Sequence, residues 1–454
     1  MRILVLNGSP AGEDSLTLFT VRYWEKHFPE HEWQVLHVGQ RIRAMEKDFT
    51  PCREALEAAE LIVFCYPVYT FLVPAQLHRF LELIREYGVD LRGKFATQLS
   101  TSKHFYDVTA HRFIRENCDD LGLRSIRGLS ADMEDLLQER GRREALDFFK
   151  FVCESIAEGW TEPPALPPLP ETAGVLPTVP EQAAPSPETP RAVIVTDLPE
   201  PEEDTPRETH LRRMIARLIR QFPGESAVVN LRKFPFAGGC LGCFHCAADG
   251  TCVYKDGFDA YLRDRIQTAD ALVYAFMVRD HSMGYRFKLY DDRQFCNGHR
   301  TVTMGKPVAY LVAGDLARET NLQTLIEARA QVGGNFLAGV ATDERNPDAE
   351  IDRLAGTLAY AVREHLQLPK NFYGVGGLKI FRDLIWQMQG LMRADHRFYK
   401  AHGFYRDFPQ KHRGRMLAMY AVGWMNNSPK LRKKVGGRMT EGMTLPYRKV
   451  LEKD

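Results

Sequence analysis

Short runs of β-branched and aromatic residues alternate along this chain with longer segments whose apolar positions recur every three to four residues. Arg2-Ile3-Leu4-Val5-Leu6 opens a strand over 2–7, and a helical pattern begins near Asp14. Further strands are predicted at 33–38, 60–65 and 94–100, with a short one near 125. Helices are predicted at 74–86, 108–121 and 141–157. After residue 190 the same grammar returns, with strands at 191–196, 226–231, 270–276, 307–313 and 336–341. Helices at 207–221, 286–293, 317–331 and 348–366 separate them. Near-continuous apolar strands between amphipathic helices predict parallel sheets covered on both faces. Five strands per block fit an open sheet, whose right-handed crossovers bring functional loops to the carboxyl ends of the strands. The fold class is α/β, with two open parallel-sheet domains in tandem.

Ten prolines between residues 161 and 190 predict an extended, semi-rigid linker. The expected divisions are therefore 1–160, the linker 161–190, a second domain 191–370 and an extension 371–454. The two blocks read as a diverged duplication. Leu61-Ile62-Val63-Phe64-Cys65-Tyr66-Pro67-Val68-Tyr69 and Leu272-Val273-Tyr274-Ala275-Phe276-Met277-Val278-Arg279-Asp280 precede similar helical segments at an offset of about 210 residues. The extension carries 17 Lys and Arg against 6 Asp and Glu. Its amphipathic stretch from Leu378 to Met392 predicts a mostly helical, basic region. Two readings stand for it: a surface that docks peripherally on a membrane or an acidic redox partner, or a helical tail packed across both domains.

A chain of 454 residues, 44 % apolar and 26 % charged, holds several folded domains and is no single small binding module. Its 60 basic and 59 acidic residues leave a net charge of +1, so global charge offers no argument for nucleic acid. The opening strand has no basic leader, and no run approaches 18 apolar residues, so a cytoplasmic protein without a membrane span is expected. Nine cysteines are present, and four fall between Cys240 and Cys252. In this setting they predict a metal or redox centre more readily than a disulfide framework.

Chemistry enters at the loops. The first strand runs into Asn7-Gly8-Ser9-Pro10-Ala11-Gly12-Glu13-Asp14-Ser15-Leu16-Thr17. Ser9, Ser15 and Thr17 place hydroxyls beside a helix N-terminus, where free N–H groups favour a phosphate, and Pro10 stiffens the loop. The loop lacks the lysine of a nucleotide-triphosphate loop, so it suits a lone phosphomonoester; an ordinary serine-capped turn is the alternative. After the third strand, Pro67, Val68, Tyr69, Thr70 and Phe71 offer an apolar wall for a flat ring. After the fourth, Ser100, Thr101 and Ser102 form a candidate lip. There Lys103 and His104 are candidate catalytic residues that place positive charge near a reduced ring, or else solvated loop side chains.

Asn7-Gly8-Ser9-Pro10 with Ser15 and Thr17, together with Tyr66-Pro67-Val68-Tyr69 and Pro74-Ala75-Gln76-Leu77, resembles the NAD(P)H-dependent FMN reductase and multimeric flavodoxin family. The resemblance covers about residues 1–155. It implies a flavodoxin-like fold and non-covalent FMN, with the phosphate in the loop matched by 9–17. The ring would lie against 66–71 and the loop after the fourth strand. Glu13 and Asp14 depart from the pattern, since carboxylates oppose a phosphate unless they point away.

Cys240-Leu241-Gly242-Cys243-Phe244-His245-Cys246, followed by Cys252, has the spacing C-x2-C-x2-C-x5-C. Four thiolates so close can hold an iron–sulfur cluster or zinc, or form a metal-free thiol loop. The motif resembles the iron–sulfur flavoproteins of the same broad family. That resemblance implies [4Fe–4S] held by Cys240, Cys243, Cys246 and Cys252. Block two lacks a phosphate loop, because Asp197, Glu200, Glu202, Glu203 and Asp204 follow its first strand. FMN is therefore expected in block one alone and the cluster in block two, facing each other as a pseudo-dimer. The expected protein is an FMN-dependent oxidoreductase or electron-transfer flavoprotein. NAD(P)H or a reduced ferredoxin-like protein would feed it, a small-molecule or protein acceptor would drain it, and a homo-oligomer is compatible. The alternatives are a simple NAD(P)H:flavin or quinone reductase with structural cysteines or zinc, and a non-catalytic interaction protein.

Overall fold

A computed structural model describes residues 1–163, 165, 172–181, 190–367, 370–407 and 413–425. Parts of the predicted linker and of the basic extension therefore lie outside the described residues. Block one contains β1 (Arg2–Asn7), α1 (Leu16–His27), β2 (Glu32–Leu36), α2 (Val38–Lys47), α3 (Thr50–Ala58), β3 (Leu61–Pro67), α4 (Ala75–Glu86), β4 (Phe95–Ser102), α5 (Asp107–Asp120), β5 (Arg124–Ser125), β6 (Leu129–Asp132) and α6 (Glu139–Glu158). The sheet runs β2-β1-β3-β4-β5, and β6 also pairs with β4. All of these pairings are parallel. Leu61 through Tyr66 are all buried, as a central strand covered on both faces requires. Helices α2 and α3 fill a stretch to which the hydrophobic pattern assigns nothing. Their apolar positions are few and are separated by Arg and Glu.

Block two contains β7 (Arg191–Thr196), α7 (Pro206–Gln221), β8 (Glu225–Asn230), α8 (Phe258–Tyr261), β9 (Ala271–Met277), α9 (Gly284–Arg293), β10 (Pro307–Ala313), α10 (Thr320–Gly333), β11 (Phe336–Thr342) and α11 (Pro347–Arg363). Its sheet order, β11-β10-β9-β7-β8, repeats that of block one, strand for strand. This is the 2-1-3-4-5 order of flavodoxin-like sheets. A second correspondence is sharper. Thr70 and Phe71 (φ 42° and 70°) and Asp280 and His281 (φ 50° and 58°) occupy left-handed backbone at the same 210-residue offset. Each pair forms the tip of a tight turn, closed by reciprocal backbone bonds between Tyr69 and Leu72 and between Arg279 and Ser282. Four non-glycine residues in that region are costly, so the turn is a shared constraint and not a chance of sequence.

The two blocks share one apolar core, with Leu77, Phe80 and Ile84 of block one and Phe287 and Tyr290 of block two in the same buried cluster. Helices α4 and α9 meet across the boundary. The first compact unit runs from Met1 to Arg397 and takes in α12 (Phe372–Gln387), whose Phe381 ring stacks on Phe105 at 4.1 Å. Helix α13 (Arg393–Ala401) begins in that unit. The second unit, from Phe398, holds α14 (Phe404–Asp407) and α15 (Arg413–Met425). The described helices of the extension agree with the helical reading. Linker residues 172–181 lie hydrogen-bonded to block two, with Val175 N–H donating to Asp343 O at 2.6 Å and Thr178 N–H to Asp348 at 2.9 Å.

Candidate functional site

A cleft of about 580 Å3 opens at the carboxyl ends of β1, β3 and β4, and both blocks line it. Ser9, Ser15 and Thr17 form its floor at the start of α1. Ser15 caps that helix by accepting from Leu18 N–H, which leaves the first N–H groups of α1 available to an anion. Thr17 and Thr101 hydroxyls are 2.6 Å apart, so the first turn of α1 is tied to the carboxyl end of β4, which the structure extends through Ser102. Gly39 lets α2 close against the loop, since a Cβ there would lie 2.2 Å from Ser9 C. Pro10 is buried behind the loop and does not line the cleft. Glu13 points outward to Arg22 and His37, both at 3.0 Å. Arg22 holds that carboxyl below the usual range. Asp14 stays on the cleft wall.

Pro67, Val68, Tyr69, Thr70 and Phe71 all face the cleft, as do Thr101, Ser102 and Lys103. Ser100 is buried below them, 2.8 Å from His111 Nε2. Lys103 pairs with Asp132 at 2.9 Å and Glu134 at 3.2 Å. Burial works against its charge, but the two carboxylates outweigh burial and keep its pKa above the usual value. His104 is turned away from the cleft wall, 2.8 Å from Asp107.

The opposite wall is the cysteine loop. Cys240, Cys243, Cys246 and Cys252 all line the cleft, and buried Cys296 joins them. Gly242 (φ 63°) sits so close to block one that a Cβ there would lie 2.0 Å from Tyr69 Oη. Gln76 Nε2 donates to Cys240 O at 3.3 Å. The ring loop and the cysteine loop therefore touch. Burial pushes the Cys240 thiol up and that of Cys246 to about 11. Thiolates here need a compensating cation, which a metal centre supplies. Among the described residues, no three cysteine sulfurs lie within 4.8 Å of one another. His245 is exposed.

Several residues that shape the site carry no signal in the sequence. Lys288 and Asp292 of α9 form an ion pair at 2.5 Å, fully buried at the block boundary. Lys288 Nζ donates to Tyr69 O at 2.6 Å, and Ala75 N–H donates to Asp292 at 2.8 Å. Block two thereby holds both ends of block one's ring loop. Arg293 makes two 2.8 Å bonds to Asp256 and one of 2.9 Å to Gly238 O, bracing the cysteine loop at both ends. Ile380, Phe381 and Leu384 of α12 close a further side of the cleft. Their alternation with polar residues reads only as an amphipathic helix until the fold places it.

The corresponding edge of block two is filled. Asp197 lies 3.3 Å from Arg279, Arg279 pairs with Glu208 at 2.7 Å, and Arg232 donates to Asp197 O. Linker residues cover the strand ends, with Thr172 on Asp315 and Arg207 on Thr172 O. An internal ion-pair network and the protein's own chain occupy the place where block one has its cradle.

Two flavodoxin-like sheets and a single cradle of hydroxyls, N–H groups and rings define a protein of the flavodoxin-like class. Residues 1–112 match the model of the NADPH-dependent FMN reductase family. The chain is 28 % identical over 194 residues to an iron-sulfur flavoprotein of Archaeoglobus fulgidus, an alignment covering 40 % of this chain and 86 % of that protein. Among solved structures, FerB, a flavoenzyme NAD(P)H:(acceptor) oxidoreductase from Paracoccus denitrificans, is 16 % identical. It covers 35 % of this chain and 97 % of its own, with a TM-score of 0.29. An NAD(P)H:quinone oxidoreductase from Methanothermobacter marburgensis is 14 % identical, covering 34 % and 96 %, with a TM-score of 0.28.

Proposed function

We propose that this chain is an NAD(P)H-dependent FMN oxidoreductase that pairs a flavin in block one with a cysteine-held [4Fe–4S] centre in block two. The observation that carries the reading is the contact of Tyr69, in the ring loop, with Gly242, between the first two cysteines of the motif. Bound FMN would supply two-electron hydride chemistry joined to one-electron transfer, and a cluster would supply one-electron transfer. Ser9, Ser15 and Thr17 would hold the phosphate, and Pro67 through Phe71 with Thr101 and Ser102 the ring. Lys103 keeps a positive charge on the cleft wall, tied down by Asp132 and Glu134. Cys240, Cys243, Cys246 and Cys252 would hold the metal centre, whose C-x2-C-x2-C-x5-C spacing is the support for a cluster. NAD(P)H or a reduced ferredoxin-like protein is the donor, the acceptor is a small molecule or a protein, and a reducing, cytoplasmic setting suits both centres.

Anaerobic purification with iron, zinc and flavin analysis tests this reading. We expect one FMN per chain and four iron atoms. Cys243→Ser keeps the flavin and loses the iron, together with reduction of one-electron acceptors. Stoichiometric zinc without iron, or two FMN per chain, overturns the pairing.

A further inference from the structure

Helix α15 is the least accounted-for element of the chain. From Met416 to Met425 it contains no charged residue. Its Met416, Leu417, Tyr420 and Trp424 side chains are 52 %, 64 %, 72 % and 77 % exposed. Those four positions fall on one stripe of a helix. A stripe of large apolar side chains in water marks a surface that something covers.

We propose that α15 seats in the headgroup region of an anionic lipid surface. Two observations choose this occupant. First, the chain between residues 408 and 440 holds eight Lys and Arg and no Asp or Glu, placed on both sides of the apolar run. That charge opposes a second copy of the same segment and attracts anionic headgroups. Second, the stripe ends in Tyr420 and Trp424, whose rings combine an apolar body with a polar edge suited to a water–hydrocarbon boundary. A helix of 13 residues reaches only about 20 Å, too short for a hydrocarbon core of about 30 Å. None of the described helices is long and apolar enough to cross a membrane. The seat is therefore in the plane of the surface.

Flotation of the full-length protein with phosphatidylcholine vesicles, with and without phosphatidylglycerol, tests the proposal. Binding at low salt is expected to favour the anionic vesicles by at least about tenfold, and high salt should weaken it. The double variant Leu417→Ser, Trp424→Ser should lower binding about fivefold or more while its flavin content stays unchanged. Four results overturn the proposal. One is no flotation with anionic vesicles. Another is equal flotation of the double variant, which would leave charge alone as the cause. A third is a dimer by light scattering that the same variant dissociates, which assigns the stripe to a second copy. The last is tighter capture by immobilised polyglutamate than by vesicles, which assigns the basic flanks to an acidic protein. None of these readouts depends on the cluster.

Discussion

Lys288 and His281 show how single buried charges join the two halves of this chain. Lys288 gives its ammonium to Tyr69 O and to Asp292, and Asp292 accepts from the first turn of α4. Lys288→Met leaves Asp292 buried without its partner, which costs about 3 kcal/mol. Chemical denaturation should show that loss, and equilibrium dialysis a weaker hold on FMN. Replacing both partners by apolar residues should recover much of the stability. His281 lies 2.9 Å from Asp120 of block one and 3.0 Å from Glu319, with Glu116 also near. Burial works against its charge, but the two carboxylates raise its pKa from 6.5 to about 10. A raised folded pKa means that the stabilisation is complete below about pH 6.5 and is lost as pH rises through about 10. Melting temperature should therefore fall from neutral towards alkaline pH, and His281→Asn should flatten that fall. Lys288 and Asp292 are four residues apart on one helix, but the contacts that join the blocks are not legible in sequence, because partners such as Asp120 and His281 are 161 residues apart.

At the scale of elements, the turn after the third strand of each block sets the local geometry. Left-handed backbone at Thr70, a β-branched residue, stores about 1 kcal/mol of strain or more. Thr70→Gly should relieve it, raising stability in urea by about 1 kcal/mol while loosening the wall offered to the ring. Most strands and the larger helices were legible from the sequence, since central parallel strands are apolar runs and their helices are amphipathic. The predicted 60–65 and 191–196 lie on β3 and β7 almost residue for residue. Helices α2 and α3 were not, because the buried residues they place in the core, such as Ile42, Met45 and Leu56, are interrupted by Arg and Glu in short helices. The phosphate loop was visible through Ser9, Ser15 and Thr17. The inward or outward aim of Glu13, Asp14, Lys103 and His104 was not, because neighbours such as Arg22, Asp132 and Asp107 decide it.

On the scale of the molecule, one core and one cleft are built from both blocks. Leu77 and Phe80 belong to the same buried cluster as Phe287 and Tyr290, so separating the halves would expose apolar surface on both. Residues 1–160 expressed without the rest should aggregate or fail to retain FMN, and co-expression with the remaining chain should restore both. A soluble, flavin-loaded first half would count against the shared cleft. Block two meanwhile covers its own vacant edge with the Asp197–Arg279–Glu208 network and linker residues 172–178. The linker thus serves as part of block two's surface as well as a spacer.

What the amino-acid sequence determined by itself is local: two runs of alternating strands and helices, one loop able to cradle a phosphate, four cysteines close together, and a basic end. Each depends on residues near one another in the chain, where periodicity, capping and spacing act. What only the tertiary structure decided is how these meet. Tyr69 against Gly242, Lys288 beneath the ring loop, and α12 along the cleft follow from the packing of α4 on α9 and of α12 on α10. That packing sums weak contacts between residues hundreds of positions apart, and no local pattern encodes such a sum.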